Sequence, residues 1–317
     1  MQSFDALFQP RSVVLVGASP TAGSLGKVVL DNLQSGGFEG PIHLVNPRHR
    51  EIAGQAAWPS VRELPTRDVD VAIIVTPAAT VPDLIDDCGA AGSPAAIVMS
   101  AGFREAGPRG LALERDLLRR ARQHGLRFVG PNCLGVIRTG RKFNGTFSEA
   151  PALPGRLAVV SQSGALCTAI LDWARDRGVG FSSLISTGIG ADVDFGEILD
   201  FLTRDPHTDS ILLYVEGVHD ARRFMSALRA AARAKPVVVM KSGRHAEGSQ
   251  AAASHTGALV GSDDAFDAAL RRAGVLRVQD FADFFATAAT LDTGVRTKGR
   301  RLAVITNAGG PGVMAAD

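Results

Sequence analysis

The segment Ala251-Ala-Ala-Ser-His-Thr-Gly-Ala-Leu-Val-Gly261 sets one imidazole, His255, among small residues and glycines. Small neighbours let a backbone or a bulky ligand come close to the ring. An imidazole can take a phosphoryl group covalently and give it up again, provided a carboxylate orients its other nitrogen. Glu216, closing the apolar run Ile211–Val215, is the candidate for that carboxylate. The plainer alternatives are a surface histidine in a loop and an acid on the rim of a strand. His43, His49, His124, His207, His219 and His245 have no comparable setting and read as structural or solvated.

Small-residue turns are the second source of chemistry. Gly17-Ala18-Ser19 follows the apolar run Ser12–Val16 and precedes the helix-like Leu25–Leu33, so its backbone N–H groups and the positive helix end could hold phosphate. Lys27 could add a point charge. The spacing is not GxGxxG, so a dinucleotide fingerprint is weak and an ordinary glycine turn stays open. Asn46-Pro47-Arg48 stands where a dinucleotide fold places an acid for the ribose. Its absence argues against NAD and for an anionic ligand that Arg48 could meet, such as a nucleotide with a ribose phosphate; a proline turn with a surface arginine is the alternative. Gly130-Pro-Asn-Cys-Leu-Gly135 offers the Asn132 amide and the Cys133 thiol, although no base can be paired with that thiol. Ser161-Gln-Ser-Gly164 is a second cradle in which Ser163 could cap a helix and donate to an oxyanion. It lacks the G-x-S-x-G form of a serine hydrolase.

These turns need strands to carry them. Runs at Ser12–Gly17, Ile42–Val45, Val71–Val75, Ala95–Met99, Leu157–Val160, Ile211–Val215 and Val237–Met240 are apolar on both faces, as strands between two helical layers are. The fold class is therefore α/β. Gly, Ser, Asn, Pro and Thr gather at the carboxyl ends of the runs, Ser100-Ala101-Gly102 included, and that edge of a parallel sheet is where ligands bind. A Pro/Gly-rich stretch at Pro151–Gly155 marks a boundary and gives domains at 1–150 and 151–292. Arg156-Leu-Ala-Val-Val-Ser-Gln-Ser-Gly164 is echoed by Arg301-Leu-Ala-Val-Ile-Thr-Asn-Ala-Gly309, so 298–317 is expected to start another domain of the second type within a longer protein. Alone, that start is expected to be poorly ordered or packed opportunistically.

The 317 residues are 45% hydrophobic and 21% charged, which excludes a disordered chain. A net charge of +2 leaves no excess to hold nucleic acid. No apolar run approaches a membrane span and the start lacks a signal-peptide pattern, so a soluble cytoplasmic protein is expected. Cys88, Cys133 and Cys167 are too few and too scattered for a disulfide framework or a metal cluster. No metal site is expected.

Together these segments resemble the NDP-forming acyl-CoA synthetases, of which ADP-forming acetate–CoA ligase is the best-defined type, and more distantly the alpha subunit of succinyl-CoA synthetase. The likeness runs from Leu7 to about Leu291. It is carried by Val16-Gly-Ala-Ser19, Val45-Asn-Pro47, Ser100-Ala-Gly-Phe103 with Glu105, Gly130–Gly135, Val160-Ser-Gln-Ser-Gly164, Tyr214-Val-Glu-Gly217 and Ser254-His-Thr-Gly257. The resemblance implies a Rossmann-like CoA-binding domain, then a flavodoxin-like, succinyl-CoA synthetase-like domain and the start of a second. It implies coenzyme A held by Gly17–Ser19, Asn46-Pro47 and Ser100–Phe103, a phosphorylated His255 supported by Glu216, and Ser163 and Gly164 walling the phosphate site. The acid would lie near the Gly130 loop and Gly188-Ile-Gly190. Such enzymes also need an ATP-grasp module for ATP or ADP with Mg2+, as a subunit or a downstream domain, and nothing in this chain resembles one. An oligomer is expected. A related block occurs as an acyl-CoA sensor in some protein lysine acetyltransferases, where the histidine is typically lost, and a simple CoA-binding module is a third alternative.

Overall fold

A computed structural model describes residues 2–67, 69–243, 262–295, 299, 301 and 303–316. Among these residues the strands form two seven-stranded sheets. The first takes β1 (Val13–Val16), β2 (Ile42–Val45), β3 (Glu51–Ile52), β4 (Gln55–Trp58), β5 (Val71–Ile74), β6 (Ala95–Val98) and β7 (Arg127–Val129), in the order β3-β4-β2-β1-β5-β6-β7. Only β3 is antiparallel to its neighbour. Every residue of β1, β5 and β6 is buried, which is why their sequences show no alternation. Without β3 the order is that of a doubly wound dinucleotide fold, with its reversal between β1 and β5.

The second sheet takes β8 (Gly135–Arg138), β9 (Phe143–Thr146), β10 (Leu153–Ser161), β11 (Gly180–Ser186), β12 (Ser210–Val215), β13 (Val237–Lys241) and β14 (Leu276–Val278), in the order β14-β13-β12-β10-β11-β8-β9. Strands β10 to β14 are parallel in a flavodoxin-like order whose reversal lies between β10 and β12. The β8–β9 hairpin adds antiparallel to β11.

Two features differ from the sequence expectation. The division at residue 150 does not coincide with the sheets, because the hairpin at 135–146 belongs to the second. Strand β11 has no apolar run because Ser182 and Ser183, though buried, are bonded inside the sheet: Ser182 to Thr208 at 2.7 Å and Ser183 to the Arg138 guanidinium.

The helices α1 (Gln2–Phe8), α2 (Leu25–Ser35), α3 (Val81–Ala90), α4 (Pro108–His124), α5 (Gly164–Arg175), α6 (Phe195–Arg204), α7 (Ala221–Ala234), α8 (Asp263–Ala273) and α9 (Phe281–Asp292) cover the sheets. One buried apolar cluster runs from Leu15 and Ile73 through Met99, Val136 and Phe143 to Val160 and Ile185, so the two sheets share a core. Polar ties reinforce it. The Asn32 side-chain N–H donates to the carbonyls of Thr146 and Ser148, both at 2.8 Å. Arg127 pairs with Asp192 at 2.9 Å and Glu197 at 2.7 Å. None of the described helices is long and apolar enough to cross a membrane. Beyond α9 only a short helix, α10 (Gly309–Ala316), is described, and Ile305, Val313 and Met314 are exposed, since residues 303–306 pair with no strand of either sheet.

Candidate functional site

At the carboxyl edge of the first sheet, Gly17 holds φ +96°, and a Cβ there would stand 2.9 Å from Val75 Cγ2. A Cβ on Gly26 would fall 2.0 Å from the Gly17 carbonyl, so the first turn of α2 lies directly on the glycine turn. Ser24 caps that helix by accepting from the Lys27 N–H at 3.3 Å. The Asn46 amide donates to the Ala18 carbonyl at 2.7 Å and accepts from the Arg48 N–H at 2.7 Å, tying the end of β2 to the same turn. Ser19 accepts from the Thr21 N–H at 3.1 Å. Pro47 and Arg48 are exposed. Lys27 is a shared charge, bonded to Asp31 at 2.6 and 2.7 Å.

The Ser100–Phe103 loop closes this edge. Ser100 donates to the Thr76 carbonyl at 2.5 Å, Ala101 is exposed, and Gly102, at φ +116°, donates its N–H to Glu105 Oε1 at 2.6 Å. Among the described residues the other oxygen of Glu105 is buried without a partner. Phe103 is fully buried in the core, so its ring anchors the loop and only its backbone lies at the edge.

The second sheet brings its cradle up to the first. Ser163 caps α5, accepting from the Leu166 N–H at 3.2 Å, and Ser161 donates to the Ser163 carbonyl at 2.8 Å. The Gly130–Gly135 segment runs between the two edges. Asn132, at φ +55°, donates its N–H to the Ser100 carbonyl at 2.9 Å, and Leu134 donates to Ser186 Oγ at 3.0 Å. A Cβ on Gly164 would touch Leu134 at 3.4 Å, and one on Gly188 would fall 2.2 Å from the Asn132 carbonyl. Gly190 donates to the Thr187 carbonyl at 3.0 Å within the same loop. Ser100, Asn132, Ser161, Ser163, Gly164 and Gly188 thus meet where the two edges converge. Cys133 lies among them but is no nucleophile: burial pushes its thiol up to about 12, and it donates to the Val98 carbonyl at 3.3 Å.

Glu216 is buried at the carboxyl end of β12, at the reversal point of the second sheet. Gln162, a residue whose type and spacing alone signal no role, joins it to the cradle: its Oε1 accepts from the N–H groups of Glu216 at 2.6 Å and Gly217 at 3.1 Å. Across the gap, Arg104 is held by the buried Glu114 at 2.8 Å and reaches His219 at 3.4 Å. Burial and Arg104 together hold the His219 imidazole below its ordinary value. His255 and His245 lie outside the described residues. Lys241 and Asp263 stand on either side of that stretch, 3.9 Å apart, and Arg277 binds Asp263 at 2.6 Å. Burial pulls the Lys241 ammonium below lysine's usual value, against the attraction of Asp263.

Among the described residues no cluster of His, Cys, Asp and Glu could hold a metal ion. A hollow of about 520 Å³ lined by Phe4, Arg127, Glu197 and Arg223 opens at the amino end of β7, away from these turns, and its Arg127 and Arg223 are already paired with Glu197.

Two family models match the chain, a CoA binding domain over residues 11–139 and a succinyl-CoA ligase like flavodoxin domain over residues 154–291. The chain is similar to acetate–CoA ligase [ADP-forming] I of Archaeoglobus fulgidus, 46% identical over 99% of this chain and 45% of the relative. It is 42% identical to the alpha subunit of acetate–CoA ligase [ADP-forming] I of Pyrococcus furiosus, over 99% of this chain and 69% of that subunit. Among solved structures, the dinucleotide forming acetyl-coenzyme A synthetase 1 of Ca. Korarchaeum cryptofilum, in complex with phosphate and ADP, superposes with a TM-score of 0.94 at 38% identity, covering 99% of this chain and 68% of that one. The chain therefore spans less than half of the Archaeoglobus relative and about two thirds of the other two. With both units in the same order and this identity sustained from end to end, the chain belongs to the NDP-forming acyl-CoA synthetase family, as its alpha-type region.

Proposed function

We propose that this chain is the part of an ADP-forming acyl-CoA synthetase that binds coenzyme A and makes and breaks the acyl phosphate. The observation that carries it is the meeting of two glycine turns, each on a helix start, across the Gly130–Gly135 segment. Relatives named as ADP-forming acetate–CoA ligases support the reaction class.

In the direction of nucleotide synthesis, phosphate attacks the thioester carbonyl of acyl-CoA, and the thiolate leaves as coenzyme A. The acyl phosphate passes its phosphoryl group to the imidazole of His255 and leaves as the carboxylate. A nucleoside diphosphate then takes the phosphoryl group, and every step is reversible. Gly17, Ala18, Ser19 and the first turn of α2 fit a pyrophosphate, because glycine at 26 lets the helix start pack directly on the Gly17 carbonyl and brings the free N–H groups of that first turn to the sheet edge. Asn46 holds that turn in shape, and the exposed Arg48, with Lys27 once released from Asp31, would supply charge for the remaining phosphate. Coenzyme A supplies the thiol that carries the acyl group.

At the second edge, the amino end of α5 offers its unpaired N–H groups to phosphate. Asn132, Ser161 and Gly188 wall the space beside it, and Gly190 leaves room for the acid. Glu216 orients the imidazole by accepting from its other ring nitrogen. Nucleotide and its Mg2+ would be held by an ATP-grasp module on a partner subunit or elsewhere in the same protein, and an oligomer follows where that module is a subunit. The three unpaired cysteines suit a cytoplasmic setting. No observation on this chain favours the alternative of a regulatory acyl-CoA sensor.

The test is to give the intact protein acetyl-CoA and radiolabelled inorganic phosphate without nucleotide. An acid-labile label that vanishes in His255→Asn and falls at least about 100-fold in rate in Glu216→Gln is expected. Coenzyme A binding without label would leave a simple binding module.

A further inference from the structure

The fold leaves one problem at the reversal point of the second sheet. Strand β10 ends at Ser161, paired with Tyr214, and the chain turns at Ser163 into α5. Strand β12 ends at Val215, so the backbone of Glu216 and Gly217 emerges beside a neighbour that has already left the ladder. Both residues are nevertheless buried, where an unpaired N–H or carbonyl would be costly.

The Gln162 side chain supplies what the missing strand would. The backbone N–H of Gln162 donates to the Tyr214 carbonyl at 3.3 Å and carries the ladder one residue further. Its Oε1 then accepts both successive N–H groups, Glu216 at 2.6 Å and Gly217 at 3.1 Å, while its Nε2 donates to the Gly217 carbonyl at 3.0 Å. A primary amide offers a two-fold acceptor and a donor on one rigid plane, which a hydroxyl cannot match at this reach. Gln162 is itself buried and stands between Ser161, whose hydroxyl accepts from the Ser163 N–H at 3.0 Å, and Ser163, the helix cap. One residue therefore belongs to the cradle by its backbone and to the carboxylate's strand by its side chain.

We infer that Gln162 is a positioning residue for the phosphotransfer: it sets where the Glu216 carboxylate stands relative to the amino end of α5. The inference rests on the functional reading above and adds that the spacing of the carboxylate from the cradle is fixed by this amide. Gln162 touches no reacting atom. Its loss leaves both groups in place and lets the distance between them drift, which lowers the rate of phosphotransfer without touching the coenzyme A edge.

The experiment uses the intact protein with acetyl-CoA and radiolabelled phosphate and compares wild type, Gln162→Met and Gln162→Glu across pH 5.5–8.5. Gln162→Met should label His255 about 10- to 100-fold more slowly, as when a supporting outer contact is lost, with coenzyme A affinity unchanged. Gln162→Glu keeps the shape and both accepted bonds but turns an oxygen toward the Gly217 carbonyl. Only the protonated acid can donate there, so this variant should approach wild type as pH falls and lose rate as pH rises. Because it keeps the shape, it stands as the test should Gln162→Met fail to fold. Wild-type labelling in both variants, or a Gln162→Glu deficit equal at every pH, overturns the inference. A wild-type protein that takes no label sinks the functional reading, and the inference with it, and is told apart from the other failures by the wild-type lane alone.

Discussion

At the scale of single residues, the candidate site is built less from reactive side chains than from positions that lack one. Gly188 shows how to tell a glycine that frees the backbone from one that lets another segment approach. It holds φ +53°, and a Cβ would fall 2.2 Å from the Asn132 carbonyl and 2.4 Å from that of Pro131. Gly178 has a similar φ of +68° with nothing within 4 Å. Gly178→Ala should therefore cost only the backbone term, about 1 kcal/mol. Gly188→Ala adds a clash between backbones that cannot give way and should cost about 3 kcal/mol or more. Urea midpoints of the two variants, compared at equal m, check this, and equal losses would show that the Asn132 segment yields. Both glycine turns were legible in the sequence, since small residues after apolar runs marked them, and Glu216 was a candidate as the acid closing Ile211–Val215. Gln162 and Phe103 were not, because an amide's value here comes from the strand beside it and a loop phenylalanine does not announce which way it faces.

At the scale of elements, parallel strands were read from uninterrupted apolar runs, and those with other means of satisfying themselves escaped. Strand β11 keeps its serines by bonding them inward, and β8 carries Arg138 into the interior, where its guanidinium meets Asp205 at 2.7 Å with side-chain exposures of 5% and 2%. Burial works to raise the Asp205 carboxyl, but bonds from Arg138 and Thr208 outweigh it and leave the group below its ordinary value. The unfolded carboxyl then binds protons at a higher pH than the folded one. The stabilisation is complete above the ordinary carboxylate range, near pH 4, and is lost as pH falls through the depressed value. Asp205→Asn strands a buried guanidinium and should cost about 3 kcal/mol at pH 7. Its deficit against wild type should shrink as pH falls below about 4, and a deficit that stays constant there, measured by urea unfolding, would remove the ion pair as its cause.

At the scale of the whole molecule, the two sheets are bound by a common apolar cluster, by Asn32 reaching the Thr146 and Ser148 carbonyls, and by Arg127 on Asp192 and Glu197. Such an interface should make them melt together. Asn32→Ala leaves two buried carbonyls without their donor and should lower stability by about 2–4 kcal/mol while keeping one calorimetric transition, whereas two separated transitions in wild type would mean that the halves are independent. Sequence composition could place a seam only where prolines and glycines cluster, near residue 150, because hydrogen bonding between distant strands leaves no local trace. The seam matters to anyone who would exchange halves between relatives to transplant a preference for one acid over another. A crossover at 150 would set β11 of one parent against the β8–β9 hairpin of the other, so the rim of the second sheet would be closed by a partner whose side chains were not matched to it. Cutting ahead of Gly130 keeps β8, β9 and β11 from one parent, and the hybrid made that way should have the higher urea midpoint of the two.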